Sequence, residues 1–253
     1  MSNKQYLYYP KFDRSLLNLL SDHDLIVTDL DDVVITSGQY FCGSLWFTKE
    51  ITKINANREE AISTFYNCIN SSSIVPVSNE LNSHFSLLAK ENDKAVIGLT
   101  ARDAGIKINT DKSVKEAGVF FSNISHPYID GGIVYGGSEP HTGRAKNKGA
   151  LLDALLNSPE FEWVERVLFI DDSYQNTIQV QNHLWDNAQQ VTIVYFTEVE
   201  NRFYCNYTNE ELSILASHQH DHFLDTGYCK SDASVIGETC PILYENMLYG
   251  DLN

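Results

Sequence analysis

Basic side chains are scarce in this chain of 253 residues, where 18 Lys and Arg stand against 34 Asp and Glu, for a formal net charge of −16. Such a field repels phosphate backbones and anionic head groups at long range, which argues against nucleic acid as a partner. Missing too is any apolar run as long as a transmembrane helix, so no membrane span is expected. The N-terminus has no basic-then-apolar leader. The expected location is therefore the cytoplasm, and a protein exported by a dedicated machine without a cleaved signal peptide would look the same. The five cysteines, Cys42, Cys68, Cys205, Cys229 and Cys240, are odd in number and contain no CxxC pair. They read as free thiols in a reducing compartment better than as a disulfide framework. No internal repeat is visible.

What is present is an ordinary apolar content, 43% with 11% aromatic, enough for one packed α/β domain with insertions or a tail. The apolar run Leu25-Ile26-Val27-Thr28 reads as a buried strand and ends in Asp29-Leu30-Asp31-Asp32. Where a strand ends and the backbone turns, Asp29 and Asp31 can face one crevice. Burying acids together is costly unless a cation or a proton shuttle uses them. Alone the pattern also fits a turn, since Asp commonly ends strands.

Three further segments follow in order. Ala95 to Leu99 is a second apolar run ending in Thr100-Ala101-Arg102. Lys146-Asn147-Lys148-Gly149 leads into an apolar helix from Ala150 to Leu156. Arg166 to Ile170 is a third strand, ending in Asp171-Asp172-Ser173. Around these, helices are predicted over 15–20, 49–68, 79–91, 111–117 and 176–185, and strands over 119–121 and 191–196. An Asp-Gly turn predicts a hairpin over 128–135. Gly-rich sequence with Pro140-His141 then leads to the Lys-Gly pair. Alternating strands and helices predict an α/β fold, a parallel sheet with helices on both faces and a small helical cap inserted after the first strand, at about 40–92. The domain is expected to span 1–217, with 218–253 a peripheral tail or linker.

These four segments resemble the motifs of the haloacid dehalogenase-like (HAD) superfamily, which run Asp-x-Asp, Thr/Ser, Lys and Asp-Asp. The resemblance covers residues 24 to about 200. It implies a Rossmann-like sheet and a Mg²⁺-dependent phosphatase that works through an aspartyl-phosphate. Asp29 would be the nucleophile and Asp31 the general acid and base. Thr100, with the backbone at Ala101, would hold a phosphate oxygen. Lys148 would offset the charge of Asp29 and the phosphate, with Lys146 as its competitor. Asp29, Asp31 through its carbonyl, Asp171 and Asp172 would hold the metal, and the resemblance does not rank the last two. Asn176 would support that shell or cap a helix.

The stretches Gly43-Ser44-Leu45-Trp46-Phe47, Leu99-Thr100-Ala101-Arg102 and Tyr195-Phe196-Thr197 are similar to a smaller bacterial group within the superfamily. That group includes secreted effectors with protein-tyrosine phosphatase activity, although it usually has Gln or Asp where this chain has Leu45. The likeness implies an aryl phosphate flanked by Trp46 and Phe47 as a substrate flap; equally, these aromatics could pack the cap. No cysteine has an Arg six residues on, so any tyrosine phosphatase here would act through aspartate. The partner is expected to be a phosphorylated protein or a small phosphate ester, so a metabolite phosphatase stands as the alternative, and a docking scaffold with little turnover as another. The sequence leaves the oligomeric state open. His218-Gln219-His220-Asp221-His222 misses the spacing of a metallo-β-lactamase metal motif by one residue.

Overall fold

A computed structural model describes residues 4–229 apart from 54–56, 70, 73, 138–145, 184 and 186–189. The Pro140-His141 pair, Cys240 and the tail from 230 lie outside the described residues.

Strand β1 (Lys4–Tyr9) and helix α1 (Arg14–Ser21) come first. Asp13 caps α1 by accepting from the Ser15 amide at 2.8 Å, and Leu16 and Leu20, four residues apart, point inward. After β2 (Leu25–Thr28) a tight loop leads to β3 (Ile35–Ser37), α2 (Ser44–Thr52), α3 (Arg58–Ile69), β4 (Ile74–Pro76) and α4 (Asn79–Leu88). Then come β5 (Ala95–Thr100), α5 (Lys107–Glu116) and β6 (Ile133–Tyr135). The last stretch holds α6 (Lys148–Leu156), β7 (Arg166–Asp171), α7 (Tyr174–Asn182), β8 (Gln190–Phe196), α8 (Glu198–Asn206) and α9 (Asn209–Thr226).

Six strands form one sheet in the order β1-β8-β7-β2-β5-β6, with every pair parallel. The fold is therefore α/β and Rossmann-like. Its central strands β2, β5, β7 and β8 are buried on both faces. Leu25 and Val27 of β2 face the layer containing Leu152 and Leu155 of α6 and Val180 of α7. Ile26 between them faces Leu16 and Leu20 of α1, Leu81 and Phe85 of α4, and Leu212 of α9. Two-sided burial is why these strands read as continuous apolar runs instead of alternating ones. Strand β2 lies between β5 and β7, where the strand order reverses, and a crevice opens beyond the carboxyl ends of such strands.

Several sequence expectations change. The helix predicted over 49–68 is two helices, α2 and α3, separated around Lys53. With the antiparallel pair β3–β4 they make up the small cap. Helix α4 instead packs Leu81 and Phe85 into the core beside the sheet. Residues 119–121 form no strand; only the neighbouring Ser122 reaches β5, its amide donating to the Val96 carbonyl at 2.8 Å. The Asp-Gly turn exists, with Gly131 and Gly132 at positive φ, but β6 after it joins β5 in parallel instead of folding into a hairpin. At Gly132 a side chain would meet the Phe121 Cβ at 2.3 Å, so the turn requires glycine.

The boundary expected at 217 falls inside α9, which starts with a reciprocal capping box between Thr208 and Glu211 and ends at Gly227 in the left-handed region. Gln219 of this helix is buried and accepts from the Phe41 amide at 2.9 Å, and His220 stacks on the Phe41 ring. Nor are the cysteines all free. Cys42 and Cys68 are joined in a disulfide, with Cα atoms 6.1 Å apart, because α3 returns its last turn to the segment before α2. No helix among the described residues is long and apolar enough to cross a membrane.

Candidate functional site

Strand β2 is hydrogen-bonded up to its last residues, with the Asp29 amide donating to the Ile170 carbonyl at 2.8 Å. The chain then turns sharply, Asp32 adopting φ 57° and its amide donating to the Ile35 carbonyl at 2.7 Å. Asp29 is 7% exposed. Its Oδ1 accepts from the Leu30 amide at 2.8 Å and from Lys148 Nζ at 3.0 Å. Lys148 opens α6 and is 1% exposed, and its ammonium also donates to Asp171 Oδ2 at 2.7 Å. It thus bridges the ends of β2 and β7. Lys146 is exposed, its amide donating to the Gly137 carbonyl.

Asp171 is fully buried and richly supplied with donors: Lys148, the Ser173 amide at 2.9 Å, and Asn176 Nδ2 at 3.0 and 3.2 Å to its two oxygens. Asn176 comes within reach because Ser173 caps α7, whose first turn carries it back over β7. Asp172 has no such donors among the described residues. Carboxylate oxygens of Asp29, Asp171 and Asp172 lie within 4.8 Å of one another.

The acids crowd one another. Burial pushes Asp29 up to about 7, with Asp171 and Asp31 adding repulsion and Lys148 opposing. Burial likewise holds Asp172 well above the ordinary carboxylate range, helped by Asp32, Asp171 and Asp29. Asp32 is also pushed to about 7 by burial, although Thr36 Oγ1 donates to it at 2.6 Å. Lys148 moves the opposite way, its two carboxylate partners outweighing burial and holding it above the ordinary lysine value.

Asp31 faces Arg102 in a bidentate pair, Nε donating to Oδ2 at 3.0 Å and Nη2 to Oδ1 at 2.7 Å. Arg102 is 6% exposed and its third arm, Nη1, donates to Thr110 Oγ1 at 3.2 Å. Thr100 is buried at the end of β5, its hydroxyl accepting from the Arg102 amide at 3.1 Å. The hydroxyl therefore braces the turn that aims Arg102. Ala101 and Arg102, with Asp29, Asp31 and Asp172, line a cavity of about 200 Å³. The opposite wall comes from the cap: Phe47 and Ile51 of α2, and Ile62, Phe65 and Tyr66 of α3. The Phe47 and Phe65 rings stack at 4.5 Å. Tyr66 ties the wall to the core, its hydroxyl donating to Asp103 Oδ2 at 2.9 Å.

The structure thus brings Asp29, Asp31, Ala101, Lys148, Asp171, Asp172 and Phe47 together, with Thr100 just behind. Trp46 is elsewhere. It packs edge-on against Phe41 at 4.9 Å and lines a separate cleft on the α9 side of the cap. Read as an extended flap, Trp46 and Phe47 could flank one ligand; on a helix, neighbours diverge by about 100°. Two further charged residues belong to the site. Arg102 was quoted in the sequence only as part of a motif, and Asp32 had no role. Their partners lie across the fold or in the tight loop, so neither carries a local signal.

The fold and this acidic crevice at the carboxyl edge define an α/β protein with a Rossmann-like parallel sheet and a capped site. The chain belongs to the family described as Protein of unknown function (DUF2608), whose model matches residues 14–213. No curated protein and no solved structure matches it.

Proposed function

We propose that this chain is a Mg²⁺-dependent phosphohydrolase of the HAD type, with Asp29 as nucleophile. The observation that carries the reading is Lys148, buried between Asp29 and Asp171 at the ends of adjacent strands. A phosphate ester resists attack because ester and nucleophile are both anionic, and a fixed buried cation beside the attacking carboxylate lowers that barrier. The Lys148 and Leu30 contacts fall on Asp29 Oδ1, leaving Oδ2 without a described donor and suited to in-line attack. The ester oxygen leaves from phosphorus, and the aspartyl-phosphate is then released by water.

The donor set suits a hard cation, being all oxygen and short of positive charge. Asp29, Asp172 and the Asp31 carbonyl would hold Mg²⁺, which when bound supplies charge neutralisation at the phosphoryl oxygens. Asp172 is the direct ligand on this reading, since Asp171 is already committed to Lys148, Asn176 and the Ser173 amide. Asp31 gives the leaving oxygen its proton and later takes one from water. While Arg102 grips both Asp31 oxygens, that transfer is blocked. An incoming phosphoryl group offers Arg102 a second pair of acceptor oxygens and so frees Asp31 to take a proton from solvent before it donates.

The stacked pair Phe47 and Phe65, with Ile51 and Ile62, gives the cavity an apolar wall opposite its acids. That favours an aryl phosphate such as phosphotyrosine over a sugar phosphate, whose hydroxyls would lose their water partners there. The test is hydrolysis of p-nitrophenyl phosphate with Mg²⁺ or EDTA, by the native protein and by Asp29→Asn. Turnover that needs metal and vanishes in the variant is expected. Absence of turnover in a folded protein, on this ester and on phosphotyrosine peptides alike, would move the reading to a docking scaffold.

A further inference from the structure

Three sulfurs from separate segments meet behind the cap wall. Cys42 precedes α2, Cys68 lies in the last turn of α3, and Cys229 follows Gly227, where α9 ends. Cys42 and Cys68 are bonded, and the Cys229 sulfur stands 2.6 Å from that of Cys68. All three sulfurs lie within 4.8 Å of one another. Cys68 is fully buried and Cys229 partly so. Cys42 also carries a backbone anomaly, φ 63°, in the left-handed region that a residue with a side chain seldom adopts.

We propose that Cys42, Cys68 and Cys229 form a thiol–disulfide exchange site, in which Cys68 alternates between Cys42 and Cys229. In the forward step the Cys229 thiol loses its proton to solvent and the thiolate attacks the Cys68 sulfur. The Cys68–Cys229 bond forms and the Cys42–Cys68 bond breaks. The electron pair leaves on Cys42, which takes up a proton. No electrons enter or leave the protein, so the step consumes neither oxidant nor reductant. Two features favour it: the three sulfurs are gathered within 4.8 Å of one another, and Cys42, once untied, can leave its strained backbone conformation.

Exchange would relocate a tether. In one form the bond joins the segment before α2 to α3, whose Phe47 and Phe65 stack across the cavity wall. In the other it joins α3 to the chain beyond α9 and leaves α2 free to move against α3. The site is independent of the reaction at Asp29, and its test reads bonds, not turnover.

The full chain is incubated in mixed reduced and oxidised glutathione, quenched in acid, blocked with N-ethylmaleimide and digested without reductant for mass spectrometry. The native chain should yield both Cys42–Cys68 and Cys68–Cys229 linked peptides. Cys42→Ser should yield the Cys68–Cys229 link alone, and Cys229→Ser the Cys42–Cys68 link alone, with circular dichroism reporting whether each variant folds. A Cys229 link in the native chain or in Cys42→Ser supports the proposal. Complete labelling of Cys229 in the native chain, together with no Cys229 link in Cys42→Ser, overturns it. Protection of all three thiols by one equivalent of bound zinc, with no link formed, overturns it as well.

Discussion

Lys148 stands between two carboxylates with almost no solvent contact, and its removal has consequences separable from catalysis. Lys148→Ala leaves Asp29 and Asp171 buried without their cation, an arrangement that costs about 3–5 kcal/mol. Urea unfolding should show that loss, smaller at pH 5 than at pH 8 because the orphaned Asp29 can take up a proton. Asp31 is less buried and its chemistry is narrower. Asp31→Asn keeps a group for Arg102 to meet but cannot shuttle a proton. Its kcat on p-nitrophenyl phosphate should fall by about 10²–10⁴-fold, the usual contribution of a general acid. An undiminished rate would remove Asp31 from the proposed reaction.

Among the elements, α6 and α7 set where Lys148 sits. Gly149 faces the carbonyl of Gln179, and a side chain there would come within 2.7 Å of that oxygen and 3.0 Å of the His183 Cβ. Gly149→Ala should therefore push α6 off α7, costing about 1–3 kcal/mol in urea unfolding, and lower kcat by displacing the neighbouring Lys148. The strands β2, β5, β7 and β8 were legible in the sequence because central parallel strands are apolar throughout. The pair Lys148-Gly149 likewise signalled its helix locally, whereas α9 was not predicted, although Thr208 and Glu211 form a capping box at its start. Strand β1 was not legible, because an edge strand is only half buried and its sequence, KQYLYY, has neither a clean run nor an alternation. Residues 119–121 had the right composition for a strand but no partner in reach. The Arg102–Asp31 pair joins positions 71 residues apart, and nothing short of the folded sheet brings them together.

At the scale of the molecule, protons and ions are coupled to the fold. Asp29 and Asp32 are held near 7, while an unfolded chain ionises its carboxylates near 4. Between those values the folded state keeps protons that the unfolded state has released. This part of its stability is present at low pH and lost as pH rises through about 7. In EDTA, melting temperatures should thus fall from pH 5 to pH 8 as far as these groups decide it. Mg²⁺ should offset the fall, and identical curves with and without the metal would speak against the proposed ligand set. The net charge of −16 makes a separate claim on kinetics. It should slow encounter with acidic phosphopeptides, so kcat/KM for them should rise from low to physiological salt while that for a near-neutral peptide barely changes.

The pairing of β1 with β8 also has a meaning in time. Lys4 meets Val191 and Tyr9 meets Phe196, so a strand near the start of the described chain waits for one close to its end. At typical rates of synthesis that wait is on the order of ten seconds or more. Throughout it the backbone of Tyr6, Leu7 and Tyr8 lacks its β8 partner, and the nascent chain offers that edge to whatever stands at the ribosome exit. The β8 edge closes only when both have emerged. A deletion that removes β1 would leave the rest of the sheet able to form but with the β8 ladder open, a surface ready to pair with another copy.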